Sequence, residues 1–308
     1  MSLNVCVFAG QGAQSPGMGK DFAETDGEIM RLFERANGVM EMDLAKACFE
    51  GPAELLKKSD ICQPAIFVTS VAAFTAFRKK APAFAFAMAG GLSLGEWTAL
   101  HAAGVLDFEE TVKVLKARGR FMQEACEAVP SGMVSVMGAT PEQLDEICAA
   151  CGTYKSNLNS AQQVVLSGTK ENVAKAAEKA GEMKLRNVVL EVAGAFHSPL
   201  MQPAREKLAA VIDGITFNKP AIPVLANATG KVHGDDPGEI KATMLRQVTD
   251  PVHWCDDVTT AIAAGADTFV EFGPGKVLSG LIRRIERSVK TLNVADAASL
   301  ETTLQGLA

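Results

Sequence analysis

Gly90-Gly91-Leu92-Ser93-Leu94-Gly95-Glu96 sets one hydroxyl between glycines at the end of an apolar run. The residues before it, Ala81 to Ala89, carry Phe84, Phe86 and Met88 among alanines and read as a short buried strand, while Glu96 to Ala103 reads as the start of a helix. A G-x-S-x-G at a strand-to-helix joint is a nucleophile elbow: the glycines let the chain turn sharply, so the Ser93 side chain stands clear at its tip. The Leu94 N–H then points to the same spot from the positive end of a helix, where it can stabilise an oxyanion. The competing reading is a glycine-rich turn with an idle serine, and the strand-to-helix context favours the nucleophile.

With 308 residues the chain can bury a large core in one big domain or two unequal ones. A hydrophobic content of 48% is that of an ordinary globular protein, and few aromatics (6%) beside abundant alanine favour helices packed closely on a sheet. The net charge of −6 argues against nucleic acid or an anionic membrane as the main partner, so an anionic substrate has to be held by locally placed cations. Seven scattered cysteines, and a start (Met1-Ser-Leu-Asn-Val-Cys-Val-Phe) that reads as a strand rather than a leader, point to a reducing, cytoplasmic setting. Cys148-x-x-Cys151 stands without a second pair and reads as helix packing, and no run approaches the length of a membrane span.

The first strand, Asn4 to Ala9, runs into Gly10-Gln11-Gly12-Ala13-Gln14-Ser15-Pro16-Gly17-Met18-Gly19. This loop matches neither G-x-G-x-x-G nor a Walker loop, so it reads as an active-site floor offering backbone N–H groups, or as a plain connection. Gln63-Pro64 opens a long apolar helix, Ala65 to Phe77, and a further helix over Phe108 to Val129 carries Lys113, Lys116, Arg118 and Arg120. Between Met133 and Val192 the rhythm becomes strand, helix, strand, strand, helix, strand, the order of a ferredoxin-like unit. The strands there are Met133–Met137, Tyr154–Leu158, Val164–Ser167 and Val188–Val192. The expected fold is thus α/β: a large α/β-hydrolase-like domain with a central, mostly parallel sheet (residues 1–130 and 193–308) and an inserted small ferredoxin-like βαββαβ domain (131–192). After the insert come Ala195-Phe196-His197-Ser198-Pro199, a helix from about Gln202 to Asp213, a strand at Pro223–Ala226, a final strand Thr268-Phe269-Val270-Glu271-Phe272 and a basic helix.

A serine hydroxyl needs a base to take its proton, and the chain has four histidines. His101 lies on the elbow helix and points elsewhere, and His233, between Lys231 and Asp235, reads as solvated. His253 is either near the site or packed against Trp254. His197 follows a strand among small and apolar neighbours and is favoured over His253. A hydrolase triad would place an acid between serine and histidine. Asp145 and Glu191 lie in that interval, but the first belongs to the insert and the second to its last strand. The missing acid counts against a standard esterase.

Several short strings together carry a family resemblance: Gln11 in Gly-Gln-Gly-Ala-Gln, Ser93 in Gly-Leu-Ser-Leu-Gly-Glu, Arg118 in Ala-Arg-Gly-Arg-Phe-Met-Gln, His197 in Gly-Ala-Phe-His-Ser-Pro-Leu-Met, Gln247 before Asp-Pro-Val-His-Trp, and Glu271-Phe-Gly-Pro-Gly-Lys-Val-Leu278. Over essentially its whole length the chain resembles the malonyl-CoA:acyl carrier protein transacylases. The resemblance implies a Ser93–His197 dyad whose imidazole is oriented by a backbone carbonyl near Gln247, which would explain the absent acid. It implies an oxyanion hole from the N–H groups of Gln11 and Leu94, with Arg118 binding the malonyl carboxylate through two parallel hydrogen bonds. Without it, Arg118 reads as a surface residue on a charged helix face. Phe196 matches the malonyl-preferring form, its ring crowding a branched α-carbon, an effect of about 1–3 kcal/mol per methyl. Leu92 stands where the family usually has histidine, Ala9 where proline is common and Trp97 where tyrosine is common; with His197 as the base, activity is expected to survive.

The implied reaction is ping-pong transfer of malonyl from malonyl-CoA through a malonyl-Ser93 ester to the phosphopantetheine thiol of an acyl carrier protein, as in fatty-acid biosynthesis. It needs no metal or redox cofactor, and the expected partners are malonyl-CoA and the carrier, with no nucleic acid or membrane, for a monomeric enzyme. An acidic carrier would meet a local basic patch, for which Lys276, Arg283, Arg284 and Arg287 are candidates, unless they form an ordinary solvated helix face. The rivals are a serine thioesterase or hydrolase, a non-catalytic acyl-binding protein, and a discrete trans-acting acyltransferase of a polyketide-type assembly line.

Overall fold

The computed structural model describes residues 3–307, so the reading of Met1 and Ser2 at the start of the chain lies outside the described residues. Ten strands are placed in chain order: β1 (Leu3–Phe8), β2 (Met88–Gly91), β3 (Ser131–Met137), β4 (Tyr154–Ser160), β5 (Gln163–Thr169), β6 (Arg186–Val189), β7 (Leu225–Ala226), β8 (Lys231–Val232), β9 (Ala266–Phe272) and β10 (Lys290–Val294). The main sheet has the order β10-β9-β1-β2, with every pair parallel. Phe8 sits beside both Gly91 and Phe272, so β1, β2 and β9 end level with one another. The loops after them therefore open on one edge, where open α/β sheets hold their ligands. A parallel bridge from Ala89 to Val224 continues the sheet beyond β2.

The chain leaves the main sheet after the helix Phe108–Ala128 and builds a second sheet, order β4-β5-β3-β6, antiparallel throughout. The helices Pro141–Cys151 and Lys170–Glu182 enclose a small core of Val134, Val136, Ile147, Leu166 and Ala176 with it. Thr140 caps the first of these, accepting from Gln143 N–H while the Gln143 side chain accepts from Thr140 N–H.

Four expectations need correction. Ala81 to Ala87 is not strand, and β2 starts only at Met88. Pro82 follows the helix end, and Phe84 and Phe86 pack on each other and on Phe77, with Phe86 also meeting Phe272, in one aromatic cluster with no alternation between two faces. The long apolar helix begins at Ser59, so Pro64 lies inside it. Gly119 lets the helix Phe108–Ala128 approach this first turn closely, since a Cβ there would stand 2.3 Å from the Ser59 carbonyl oxygen. That Ser59–Lys80 helix is also long and apolar enough to cross a membrane, contrary to the sequence reading, yet 83% of its most apolar window is buried inside the fold. It is the central helix of the core. In the insert, β6 lies earlier than expected, over Arg186–Val189, before the chain turns back toward the site. β10 and the last helix, Ala297–Leu307, were not read from the sequence.

Candidate active site

At the end of β2 the chain reverses into the helix Leu94–Ala102 through Ser93, whose φ of 57° and ψ of −100° are strained for a residue with a side chain. The glycines on either side are required by contact. A Cβ on Gly91 would lie 2.2 Å from the Gly95 carbonyl carbon, and one on Gly95 would lie 2.1 Å from the Phe8 carbonyl oxygen. Leu94 opens the helix, so its N–H is among those with no partner within the helix. Gly10 brings the loop after β1 against the elbow, a Cβ there falling 2.6 Å from the Leu92 carbonyl oxygen, and Gln11 lines the same cavity as Ser93.

His197, also at positive φ (54°), places Nε2 at 2.7 Å from Ser93 Oγ. Its Nδ1 faces the Gln247 carbonyl oxygen at 2.7 Å. A carbonyl only accepts, so Nδ1 carries the proton and Nε2 presents its lone pair to the serine hydroxyl. Burial, reinforced by the neighbouring Arg118 charge, pushes the imidazole pKa down to about 3 against the opposing pull of the Gln247 carbonyl, and the ring is neutral at rest.

Arg118 is 1% exposed, so it is no surface arginine. Its Nη1 donates to Gln63 Oε1 at 2.8 Å, and Nη2 donates to Ser93 Oγ and to Gln247 Oε1, both at 3.0 Å. Its Nε–H has no partner among the described residues. Burial lowers its pKa to about 10, partly offset by the charge of Glu96, and the guanidinium remains cationic at neutral pH.

Four residues not assigned a role from the sequence hold this arrangement. Asn227 Oδ1 accepts from Ser93 N–H at 2.6 Å, and its Nδ2 donates to the carbonyl of Gly91 and to Asp257, both at 2.8 Å. Glu96 is fully buried and accepts from Gln247 Nε2 at 2.6 Å and His233 Nε2 at 2.7 Å. Gln63 links Arg118 to Gln11. The expectation that His233 is solvated is therefore wrong: it is 8% exposed and paired with a carboxylate. One signal was present in the sequence. Glu96 is the only charged residue in the stretch Leu94 to Leu100, and a carboxylate in an apolar helix needs a buried partner. The other histidines lie elsewhere: His253, just ahead of the helix Trp254–Ala263, pairs with Asp256 in its first turn, and His101 holds the Leu106 carbonyl. Asp145 pairs with Lys155, and Glu191 is exposed at the cavity mouth.

The cavity over Ser93 measures about 680 Å³. Its floor is Gln11, Ser93 and His197, and Phe196 and Met122 narrow it. The small sheet supplies a polar wall of Ser135, Asn157, Asn159 and Gln163, and the buried Asn159 Oδ1 has no partner among the described residues. Lys57 and Lys58 stand exposed on one lip, Val277 on the other. Of the basic residues named from the sequence, Arg284 reaches Gln163 on the cavity wall, while Arg283 turns away to Thr291 of β10. All seven cysteines are free, Cys148 and Cys151 included, and no cluster of three or more His, Cys, Asp or Glu side chains suited to a metal occurs among the described residues.

What this fold offers is a hydroxyl within reach of a neutral imidazole that has a carbonyl, not an acid, behind it, and the class so defined is acyl transfer on an α/β sheet. A family model described as the acyl transferase domain matches residues 5–304. The malonyl CoA-acyl carrier protein transacylase of Bacillus subtilis (strain 168) is 37% identical over 313 residues, covering 100% of this chain and 98% of that one. The crystal structure of the malonyl CoA-acyl carrier protein transacylase from Clostridium perfringens matches with a TM-score of 0.94 at 40% identity, covering 99% of this chain and 97% of that one. A malonyl-transacylase solved in complex with a type II PKS acyl-carrier protein matches with a TM-score of 0.94 at 35% identity, covering 99% and 100%. The chain belongs to the malonyl CoA-acyl carrier protein transacylase family.

Proposed function

We propose that this protein moves a malonyl group from malonyl-CoA to the phosphopantetheine thiol of an acyl carrier protein through a malonyl ester on Ser93. The observation that carries the reading is Arg118: a buried cation 3.0 Å from the Ser93 oxygen, with an Nε–H that has no partner among the described residues. A malonyl unit bound as an ester to Ser93 brings a carboxylate to this point, and a guanidinium can grip it with two donors.

His197 Nε2 takes the hydroxyl proton as Ser93 Oγ attacks the thioester carbonyl, and the N–H groups of Gln11 and Leu94 receive the oxyanion. The imidazolium formed is oriented by the Gln247 carbonyl, and returns the proton to the departing CoA sulfur. In the second half, the carrier's thiol gives its proton to His197 and takes the malonyl group, restoring Ser93. Phe196 crowds the space beside the acyl group, the amide and hydroxyl wall of the small sheet suits a pantetheine arm, and Lys57 and Lys58 suit the phosphates of CoA. The side chains carry this chemistry without a cofactor. Free thiols throughout are in keeping with the cytoplasm as its compartment.

The test is the intact mass of the protein after brief exposure to malonyl-CoA, acetyl-CoA or methylmalonyl-CoA. A single malonyl adduct, absent in Ser93→Ala and discharged by holo acyl carrier protein, is expected. Free malonate released without an adduct would mean a hydrolase. Likeness to a transacylase that serves a polyketide carrier favours a second reading of the acceptor, decided by comparing discharge to fatty-acid and polyketide carriers.

A further inference from the structure

The carboxylate of Glu96 takes no part in the transfer just set out, yet it is fully buried at the centre of the site's hydrogen bonds. Its Oε2 accepts from Gln247 Nε2 at 2.6 Å and from Asn227 N–H at 3.2 Å, and its Oε1 accepts from His233 Nε2 at 2.7 Å. We propose that Glu96, clamped by His233, is a positioning residue for acyl transfer that acts through Gln247 on both His197 and Arg118. The inference rests on the malonyltransferase reading of the site.

A glutamine amide can be turned two ways, and its surroundings choose. Gln247 Nε2 faces two acceptors, Glu96 Oε2 and the Ser93 carbonyl at 2.8 Å, so Oε1 is turned to the Arg118 guanidinium. Reversed, the amide would set a donor against Arg118 and a carbonyl oxygen against the Glu96 carboxylate. The same residue's backbone carbonyl takes the Nδ1 proton of His197 and so fixes its tautomer. Glu96 would not hold Gln247 if its own side chain could swing. His233 prevents that, itself tied to the sheet through its N–H on the Val224 carbonyl at 2.8 Å. In a hydrolase triad the acid touches the imidazole. Here a carboxylate stands one residue further back, and serves the base and the substrate's anchor together. Its negative charge also favours the cationic form of Arg118 against burial.

The experiment measures the rate of Ser93 acylation across malonyl-CoA and acetyl-CoA concentrations, with thermal stability, for the wild-type chain, Glu96→Met, Glu96→Gln and His233→Leu. Methionine keeps the shape and removes both acceptors. Glu96→Met is expected to lower the maximal malonylation rate about tenfold or more and to narrow the preference over acetyl-CoA, with a smaller change in KM. Glutamine can offer its oxygen to Gln247 and Asn227 and its NH2 to the other tautomer of His233, so Glu96→Gln is expected within about threefold of wild type. His233→Leu, which leaves Glu96 in place, is expected to slow acylation by about threefold to tenfold, and carries the test if Glu96→Met does not fold. Wild-type acylation rates in Glu96→Met or His233→Leu, even with lowered thermal stability, would overturn the proposal, as would Glu96→Gln being as slow as Glu96→Met. A wild-type chain that takes no malonyl adduct would remove the reading of the site, and the inference with it. Failure of the inference alone leaves the wild type labelled.

Discussion

Arg118 Nη2 donates to Ser93 Oγ at 3.0 Å, onto the same oxygen that lies 2.7 Å from His197 Nε2. A permanent cation beside the dyad favours the serine alkoxide and disfavours the imidazolium. A malonyl carboxylate that pairs with Arg118 would offset that charge and would make His197 a stronger base once that acyl group is bound.

The first consequence concerns pH. The His197 pKa is lowered from 6.5 to about 3, first by burial and then by Arg118, so the ring stays neutral and competent across the range where an ordinary histidine would be protonated. The kcat/KM for acylation is expected to show no fall near pH 6.5 and to decline only toward the folded pKa. The unfolded imidazole takes up its proton first as pH falls. This group's contribution to stability is therefore whole above about 6.5 and is lost as pH drops through the folded value. A pH–rate profile with an inflection near 6.5 in the free enzyme would contradict the burial argument.

Arg118→Lys tests the anchor. Lysine keeps a charge but cannot reach Gln63, Gln247 and Ser93 at once, nor grip a carboxylate with a planar fork. Charge-assisted hydrogen bonds are worth about 1.5–3 kcal/mol each, so malonyl acylation is expected to fall about a hundredfold in kcat/KM while acetyl acylation changes much less. In Arg118→Ala the charge is gone, and the acid limb of the profile should move up toward, without reaching, the ordinary histidine value, because the larger cause, burial, remains. Equal losses for both acyl groups would mean that Arg118 holds the fold of the site and not the malonyl carboxylate.

Gly95→Ala tests the elbow. The added Cβ would meet the Phe8 carbonyl oxygen at 2.1 Å, a backbone contact that no rotamer relieves. A loss of about 2–3 kcal/mol in denaturant unfolding is expected, with acylation abolished as Leu94 N–H is displaced. Gly132→Ala in β3, where nothing lies within 4 Å of the added carbon, is the control and should be nearly neutral.

Ser93 and His197, which the fold brings within 2.7 Å, could be singled out from short strings, Ser93 between glycines and His197 before Ser-Pro, whereas Arg118 on its charged helix read as a surface residue until the family resemblance drew it in. The residues that hold them could not be, because their partners are distant in sequence. Asn227 meets Ser93 across 134 residues, and Gln247 meets Glu96 across 151. Gln63 was read only as the flank of a proline, since nothing in the string Gln63-Pro64 shows that the helix continues back to Ser59. The βαββαβ insert was legible from its alternating elements. The aromatic loop before β2 was not, because Phe86 packs with Phe272, a contact made from the far end of the chain.

Arg284 and Arg283 are neighbours on the helix Val277–Ile285, yet they face different surroundings. Arg284 reaches Gln163 at the cavity wall, on the same helix whose Val277 and Leu281 line the cavity. Arg283 donates to Thr291 Oγ1 and to the Thr291 carbonyl, spending its donors on β10. An acidic carrier bringing its pantetheine arm over Val277 would meet the first and not the second. Arg284→Glu is expected to raise the KM for the carrier about fivefold or more at low salt, with malonyl-CoA acylation unchanged, and the effect should fade as salt screens it. Arg283→Glu should cost stability through its lost bonds to Thr291 and leave that KM within about twofold. Steady-state transfer at varied carrier concentration and ionic strength separates the two, and an equal KM effect from both would place the carrier over the β10 side instead.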